Sequence, residues 1–335
     1  MGYKAGYGGQ TSAPFSSGEK NVAIGYEALD AFTTGYENVA VGNGAGGNLT
    51  TGYTSTFVGY TAGASVSTAG NNTYIGYAAG LAITGAGNVG VGNHVMKAGS
   101  GAAANNTAIG GSSLYAITTG DKNTTLGQST GEALTDTSNT VLIGYQAGYA
   151  INSTDANGTV AIGYEAGHDM TSAQESTLIG YLSGHKMTIA DYNTAVGYKT
   201  LGGNTSSALG VGGNSNVAVG NYALGKAYDN CSTNTAIGNQ SLEEVTNGKR
   251  NTALGAYAGD NLTTGLNNTY VGYYALPSAV DVNDEILIKA GDGTSMTGGG
   301  TETVRIGVQT DYITNDFGEN ATWTHSSDRR IKKDI

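Results

Sequence analysis

The sequence is poor in several residue types that mark common classes of protein. It has a single cysteine, Cys231, among 335 residues, which excludes an internal disulfide framework and any metal site built from several cysteines. Only two residues are proline and only 12% are charged. No run of about 18 apolar residues occurs, so no membrane insertion is predicted. Residues 1–6 do not resemble a secretory signal.

The residues that are abundant favour extended structure. The chain contains 56 glycines and 22 tyrosines, with many threonines, asparagines and valines. Glycine at this level is well above the usual ~7%, but it lacks the every-third spacing of collagen. Threonine, valine and tyrosine are typical of β-strands. The net charge of −11 repels phosphate backbones, so nucleic acid is not expected as a partner.

A short motif ending in glycine recurs through most of the sequence and predicts the fold. We call this residue the anchor glycine and count positions from it. Most anchors lie 17 residues apart, with excursions of 16, 18 and 19 and one of 23. The 15 anchors are Gly25, Gly42, Gly59, Gly76, Gly92, Gly110, Gly127, Gly144, Gly163, Gly180, Gly197, Gly220, Gly238, Gly255 and Gly272.

The positions around the anchor have consistent chemistry. Position −1 is Ile, Val or Leu and position −3 is Val or Thr in all 15 copies, with a mostly small residue between them. Position −4 is Asn in 11 copies, Ala-Gly often follows at positions +3 and +4, and Thr-Thr-Gly often follows about ten residues after the anchor. Positions −3 and −1 share one face of a strand, and the glycines suit turns. Each repeat is therefore expected to form one coil with two short strands and two turns.

Stacked coils explain why such a repeat folds. One coil cannot bury its aliphatic stripe, but stacking buries a continuous core and aligns the asparagines into a ladder. The predicted fold is all-β, a parallel β-solenoid (β-roll) of about 15 coils with 17-residue repeats. Its core is thin, and thin cores are commonly stabilised by association. A homotrimeric fibre is therefore expected.

The repeat pattern divides the chain into four segments. Residues 1–20 hold a partial copy that opens in mid-repeat, as expected for a fragment of a longer polypeptide. Residues 21–276 form the solenoid, within which 209–213 are interpreted as a degenerate half-coil. Residues 277–325 are predicted to be β-rich but outside the repeat. Residues 326–335 are basic and start a different module.

Two resemblances follow from these motifs. The repeats, written Asn-Thr-Ala-Ile-Gly with a following Ala-Gly, resemble the head repeats of trimeric autotransporter adhesins and the solenoids of phage tail fibres, over about residues 2–276. The tail, 327–335, resembles the opening of the intramolecular chaperone domain (peptidase S74) found at the end of phage tail fibres and tailspikes. This second resemblance implies a scissile bond between Ser326 and Ser327, with Ser327 and Asp328 in the reacting motif. The rest of that domain is absent from this sequence, so self-cleavage is not expected of it.

Candidate binding residues are few. Tyrosine occupies position +1 in eight copies: Tyr26, Tyr60, Tyr77, Tyr145, Tyr164, Tyr181, Tyr198 and Tyr273. Their rings could bind sugars, but stacking on one another or packing between chains is the favoured interpretation. His168 and His185 both lie at position +5, where a metal or anion site is a weaker hypothesis than exposed turn residues. No cofactor and no catalytic group within the chain are predicted.

These features predict a structural, receptor-binding fibre of a phage or phage-like injection device. Its expected partners are two further copies of itself, a glycan or protein on the host surface, and other tail proteins, and its expected location is the virion or the extracellular space. A bacterial surface adhesin head is the main alternative, and a polysaccharide depolymerase is another. Ice binding by threonine arrays is disfavoured because the threonine column alternates with valine and is expected to face inward.

Overall fold

The computed structural model describes residues 2–8, 17–202, 213–227, 230–291, 294–318 and 320–325. It confirms the predicted fold class: the chain is a parallel β-solenoid of about 16 coils with a repeat near 17 residues. The one helical element among the described residues is a 3-10 turn, Thr154–Ala156. The chain forms two compact units, Met1–Glu175 and Ser176–Ile335, and the predicted half-coil at 209–213 lies almost wholly outside the described residues.

The first unit is a stack of nine parallel strands, one from each coil. Each strand pairs with the next in sequence and in register, as in Val22 opposite Val39 and Val39 opposite Thr56. The strands are β1 (Val22–Ile24), β2 (Val39–Val41), β3 (Thr56–Val58), β4 (Thr73–Ile75), β5 (Val89–Val91), β6 (Thr107–Ile109), β7 (Thr124–Leu126), β8 (Val141–Ile143) and β9 (Val160–Ile162).

The second unit also has parallel strands paired coil by coil, and it ends in antiparallel strands. Strands β10 to β15, β17 and β19 pair in parallel, β16 pairs with β18 in parallel, and β19, β20 and β21 form an antiparallel meander. The strands are β10 (Thr177–Ile179), β11 (Thr194–Val196), β12 (Val217–Val219), β13 (Thr235–Ile237), β14 (Thr252–Leu254), β15 (Thr269–Val271), β16 (Ala275–Leu276), β17 (Ile286–Lys289), β18 (Met296–Thr297), β19 (Thr303–Val308), β20 (Asp311–Asp316) and β21 (Asn320–His325).

Two details of the predicted coil need correction. The coil stacking does not stop at residue 276, because β17 and β19 pair in parallel with the preceding coils. This extension was missed because Lys289 stands where the anchor glycine would be. Among the described residues, the coils of β1 to β14 each have one regular strand rather than the two predicted, with isolated bridges between Ile83 and Gly101 and between Lys249 and Leu266. The coils of β15 and β17 each have a second strand, β16 and β18, and these two strands pair in parallel.

The anchor glycines have a conformation that only glycine adopts readily. Their φ angles lie between +116° and +144°, a region that a Cβ disfavours. A Cβ on Gly110 would also lie 2.2 Å from the carbonyl oxygen of Gly127, and one on Gly59 would lie 2.2 Å from that of Gly76. Most anchors therefore meet the backbone of the next anchor in this way, which explains why this position is glycine in all 15 copies.

The side of each strand that points into the core is the opposite of the one predicted. In β2, Ala40 at position −2 is fully buried, whereas Val39 and Val41 are partly exposed. The same alternation recurs in other strands, with the small middle residue inside and the aliphatic positions −3 and −1 outside. The predicted burial of the aliphatic stripe is therefore wrong for the single chain. The threonine column at position −3 also lies outside, so inward orientation is no argument against ice binding.

The interior is filled by positions −2, +3, +4 and +7, whose sizes compensate one another. Phe57 and Tyr74 at position −2 are matched by Gly63 and Gly80 at position +4, where a Cβ would lie 2.3 and 2.5 Å from the respective rings. Where position −2 is alanine, position +4 is often leucine, and such leucines are buried. Position +7 supplies a further buried column that sequence inspection missed: Phe32, Leu49, Val66, Ile83, Ile117, Leu134, Ile151, Met170, Met187, Val245 and Leu262.

The asparagines at position −4 form the expected ladder. The Oδ1 atom of Asn38 accepts a hydrogen bond from the backbone N–H of Ser55 (3.0 Å), and its Nδ2 donates to the carbonyl of Gly52 (2.9 Å). The pattern repeats at Asn106, Asn216 and other members, which are almost completely buried. Each side chain thus pairs polar groups of its own coil and its neighbours, which satisfies buried backbone groups that would otherwise be costly.

The ladder in the second unit ends on a carboxylate. Glu285 occupies position −4 of the coil after Gly272, and its backbone N–H donates to Asn268 Oδ1 (2.9 Å). Its fully buried carboxylate accepts hydrogen bonds from the hydroxyl of Tyr270 (3.0 Å) and from the backbone N–H groups of Ser278 (3.1 Å) and Gly300 (2.8 Å). The carboxylate accepts all of these bonds. It therefore ends the asparagine ladder and pairs with hydrogen-bond donors of the chain that follows.

Candidate functional site

An apolar surface that repeats from coil to coil lies on the outer side of the strands, and we call it the strand face. It consists of positions −3 and −1 of each coil. Ile24 and Leu126 in the first unit and Leu254 in the second are each 47% exposed. Single exposed apolar residues are normal, but contiguous apolar surfaces usually mark an interaction site. Because the strands are parallel and in register, the exposed residues of each unit form continuous columns.

The strand face carries no charge in either unit. None of the 30 residues at positions −3 and −1 of the 15 coils is Asp, Glu, Lys, Arg or His, and neither is any of the 15 residues at position +1 beside them. Charges occur at other positions of the same coils, for example at position −5, where Lys20 pairs with Glu37 at 3.1 Å. Water exposure alone does not require such a division of charge. The neutral, apolar composition is instead suited to contact with another neutral surface.

The tyrosines at position +1 form stacks beside the strand face. Ring centroids are 5.2 Å apart for Tyr60 and Tyr77 and for Tyr181 and Tyr198, and 5.4 Å apart for Tyr145 and Tyr164. These six tyrosines are 40–51% exposed. In each pair the facing ring surfaces cover each other, so only the outer ring surfaces, the edges and the hydroxyls are left to contact a sugar. Sugar binding by the middle of such a stack would have to use the edges, and the hypothesis stays a prediction.

Further stacks occur at positions that the sequence analysis did not single out. Tyr36 stacks on Tyr53 with centroids 5.5 Å apart, and Tyr257 stacks on Tyr274 at 4.4 Å. The signal was available, because each pair is separated by 17 residues. Tyr3 of the partial first copy stacks on Tyr26 at 5.4 Å. Its neighbour Gly2 therefore takes the place of an anchor glycine, as the partial repeat predicted.

The two candidate histidines lie in different units. Nδ1 of His168 is 2.6 Å from Oδ1 of Asp169, and the ring stacks on Tyr149 with centroids 5.0 Å apart. His185 belongs to the second unit. Among the described residues, no group of three or more His, Cys, Asp or Glu side chains could hold a metal ion. Cys231 is buried and accepts a hydrogen bond from Asn234 Nδ2 at Sγ (3.2 Å), and burial raises the pKa of its thiol to about 12.

Ser327 and Asp328, with the proposed scissile bond, lie outside the described residues. The described part of the chain contains no helix long and apolar enough to cross a membrane.

One corner of the second unit collects acidic residues from consecutive coils. Lys226 Nζ lies 2.5 Å from Glu244 Oε1, and Gln240 Nε2 donates to Glu243 Oε2 (2.6 Å). Asp260 lies near this cluster and is partly buried. Burial, followed by the charges of Glu243 and Glu244, raises the pKa of Asp260 to about 6. The ionised form of Asp260 is therefore less stable in the folded protein than in the unfolded chain.

Replacing Asp260 with asparagine is expected to stabilise the second unit at neutral pH. The pKa of Asp260 is higher folded than unfolded, so its ionisation costs stability as the pH rises from about 4 to about 6. The full cost persists above this window and disappears below it. After allowance for solvent screening at this half-exposed site, we expect D260N to gain about 1–2 kcal/mol at pH 7.5 and nothing at pH 4.

Urea unfolding at both pH values measures this difference. D281N, at an exposed position of the same unit, is the matched control and is expected to change the stability by less than about 0.5 kcal/mol at either pH. A loss of stability in D260N at pH 7.5 would show that attraction to Lys226 outweighs the effects of burial and of the neighbouring carboxylates.

The geometry defines the class of the chain as a parallel β-solenoid with an uncharged strand face and flanking tyrosine stacks. No protein family model, no characterised protein and no solved structure matches the chain significantly. Its function therefore has to be argued from its own residues.

Proposed function

We propose that this chain forms the shaft or head of a homotrimeric fibre that attaches a phage, or a phage-like injection device, to a host surface. The role is structural and adhesive rather than catalytic. Its partners would be two further copies of the chain, a host glycan or protein, and neighbouring tail proteins. It would act in the virion or the extracellular space.

The observation that carries the proposal is the strand face. Its repeat is set by the parallel strands, about 4.8 Å apart, so a second copy lying parallel presents identical columns at the same spacing. Uncharged Ile, Leu, Val and Thr side chains then pack without desolvating any charge. Such a surface can pack against the same surface of further copies, which favours association of identical chains.

The free energy gained by burying the strand face is comparable to the cost of association. Covering a half-exposed Ile, Leu or Val contributes about 1 kcal/mol. The strand face of the first unit alone has nine position −1 residues, all Ile, Val or Leu. Their burial would offset much of the association cost of about 4–15 kcal/mol. The trimer and the phage setting draw further support from the sequence resemblances, of which the chaperone-like residues 327–335 favour a tail fibre over an adhesin head.

The test is the mass of the folded chain by light scattering, with a variant that places a charge on the strand face. A trimer would have a mass of about 101 kDa, three times the 33.7 kDa of one chain. I109E is expected to give a folded species of lower mass, because Ile109 is on the strand face and 40% exposed. T119E, an exposed position on another side of the same coil, is expected to stay trimeric.

Two results would reject the proposal. A wild-type mass of 33.7 kDa at micromolar concentration would remove the self-association on which the fibre depends. Equal trimer content in I109E and T119E would show that the strand face is not the interface. Circular dichroism of both variants confirms that any change in mass occurs in a folded chain.

A further inference from the structure

The tyrosine column of the first unit is interrupted once by a single coil, which leaves a gap between two rings. Tyr26 and Tyr60 occupy position +1 of the first and third complete coils, and Asn43 occupies it in the second. The three backbones are directly bonded, since Gly44 N donates to the carbonyl of Tyr26 and Thr61 N donates to that of Asn43, both at 2.8 Å. The two tyrosines are therefore two coil steps apart, with one short side chain between them.

The outer surface of each ring is already covered. Tyr26 stacks on Tyr3 with an interplanar angle of 20°, and Tyr60 stacks on Tyr77 with an angle of 9°. The remaining surface of each ring is turned towards Asn43. Tyr26 is 46% exposed and Tyr60 is 50% exposed, and both side chains are longer than that of Asn43 between them. We call the space between them the tyrosine slot.

The width of the slot selects the shape of a guest. Neighbouring stacked tyrosines of this column have centroids 5.2–5.4 Å apart, so two steps separate Tyr26 and Tyr60 by about 10 Å, consistent with two strand spacings. Contact distances of about 3.5–4.0 Å on each side leave roughly 2–3 Å for the guest between its outer atoms. A flat aromatic ring is too thin to touch both walls. A puckered ring with axial groups fills the space.

The groups around the slot suit a guest with hydroxyl groups and no negative charge. The exposed Asn43 amide forms the floor and offers both donors and an acceptor. Glu27 directly follows Tyr26 in the chain, and its carboxylate raises the pKa of the Tyr26 hydroxyl, so a hydrogen-bond acceptor lies next to this ring. The charge of Glu27, with the net charge of −11, repels anionic guests.

We propose that the tyrosine slot binds one neutral pyranose ring of a glycan, sandwiched between Tyr26 and Tyr60. As a receptor site it rests on the proposed attachment function, whose ligand class it specifies. The column contains no second gap of this kind, because its other interruptions, 93 to 128 and 221 to 256, each span three coils.

Saturation-transfer NMR on the full chain, with methyl pyranosides of glucose, galactose, mannose and N-acetylglucosamine as probes, tests the slot. At least one probe is expected to bind with a millimolar Kd. N43Y completes the stack and closes the slot, so binding is expected to fall at least tenfold without loss of thermal stability. Q128Y, which adds a tyrosine to the same column beside Tyr145 and away from the slot, is the matched control and is expected to bind like the wild type.

The slot is rejected if N43Y binds the same probe as well as Q128Y does, or if no probe binds the wild type. Y60L removes one wall of the slot without adding bulk and is expected to weaken binding as well. This variant keeps the slot testable if N43Y misfolds. Adenosine, a flat probe, is expected to bind more weakly than the best pyranoside, and the reverse order would contradict the sandwich. Light scattering separates the two proposals: a trimer without slot-dependent binding leaves the fibre and removes the slot, and a monomer with slot-dependent binding does the opposite.

Discussion

G110A is expected to destabilise the first unit by more than about 4 kcal/mol. Gly110 has a φ of +134°, and a Cβ at this residue would lie 2.2 Å from the carbonyl oxygen of Gly127 in the next coil. The atom it meets is backbone, held in place by its own coil, so the clash is relieved only by separating two coils. Chemical unfolding followed by circular dichroism would show a large fall in the midpoint.

The neighbouring glycine provides the control. A Cβ on Gly111 would meet only the carbonyl oxygen of Asn93, at 3.8 Å, which is an ordinary contact. G111A is therefore expected to lie within about 0.5 kcal/mol of the wild type, with a small gain from the lower entropy of its unfolded chain. If the two variants were equally stable, the contact between successive anchors would not be what requires glycine.

N106A is expected to cost about 3–5 kcal/mol, the second largest effect. Asn106 Oδ1 accepts from the backbone N–H of Asn123 (2.9 Å), and Nδ2 donates to the carbonyl of Gly120 (2.9 Å) and to Asn88 Oδ1 (3.2 Å). Alanine leaves the first two backbone groups buried without partners, at about 1–3 kcal/mol each, and also opens a small cavity. Thermal and urea unfolding would both measure the loss.

The chain itself suggests the partial rescue. Ser55 occupies the same column, and its hydroxyl oxygen accepts from the backbone N–H of Asn72 at 3.2 Å. N106S is therefore expected to recover part of the loss, because serine restores the bond to the following coil but not the one to Gly120. N48A, at an exposed asparagine of the same unit, is expected to have almost no effect. Equal stabilities for N106A and N48A would mean that the ladder contributes nothing beyond burial.

The repeat itself predicted the coil, the parallel stacking and the asparagine ladder, because each depends on local chemistry at a fixed spacing. The anchor glycines, the turns and Asn106 with its column are examples. The limit of the predicted solenoid was wrong, since stacking through β17 depends on backbone pairing of Ile286 with Thr269. Backbone pairing tolerates Lys289 in place of glycine, and a search for glycine does not detect it.

Which face of each strand points into the core could not be predicted from the alternation of residue types. In Val39-Ala40-Val41 both sides of the strand are apolar, so polarity does not distinguish inside from outside. Size decides instead: the interior already holds positions +3, +4 and +7 and leaves room mostly for alanine at position −2. Where position −2 is Phe57, position +4 has to be as small as Gly63 to leave room for the ring. Only the coupling between distant positions reveals this, and it requires the coil geometry to be known.

The candidate site was predictable in part. The tyrosine column was evident from the anchor spacing, and stacking of the rings on one another or packing between chains was the favoured interpretation. The strand face and the tyrosine slot were not recognised, because both depend on which side of the strand meets solvent and on the identity of the one interrupting residue, Asn43.

The variable repeat length shows which insertions and deletions the solenoid can accommodate. The 19-residue coil between Gly144 and Gly163 accommodates its two extra residues at the 3-10 turn Thr154–Ala156, and the strands on either side keep their register. Recombination between repeats can therefore remove or duplicate whole coils, because every new junction pairs the same backbone groups. Small insertions outside the strand leave the pairing of the strands unchanged. The loss of a single residue between Asn106 and Gly110 would instead move the residues of that coil out of alignment with the columns of its neighbours.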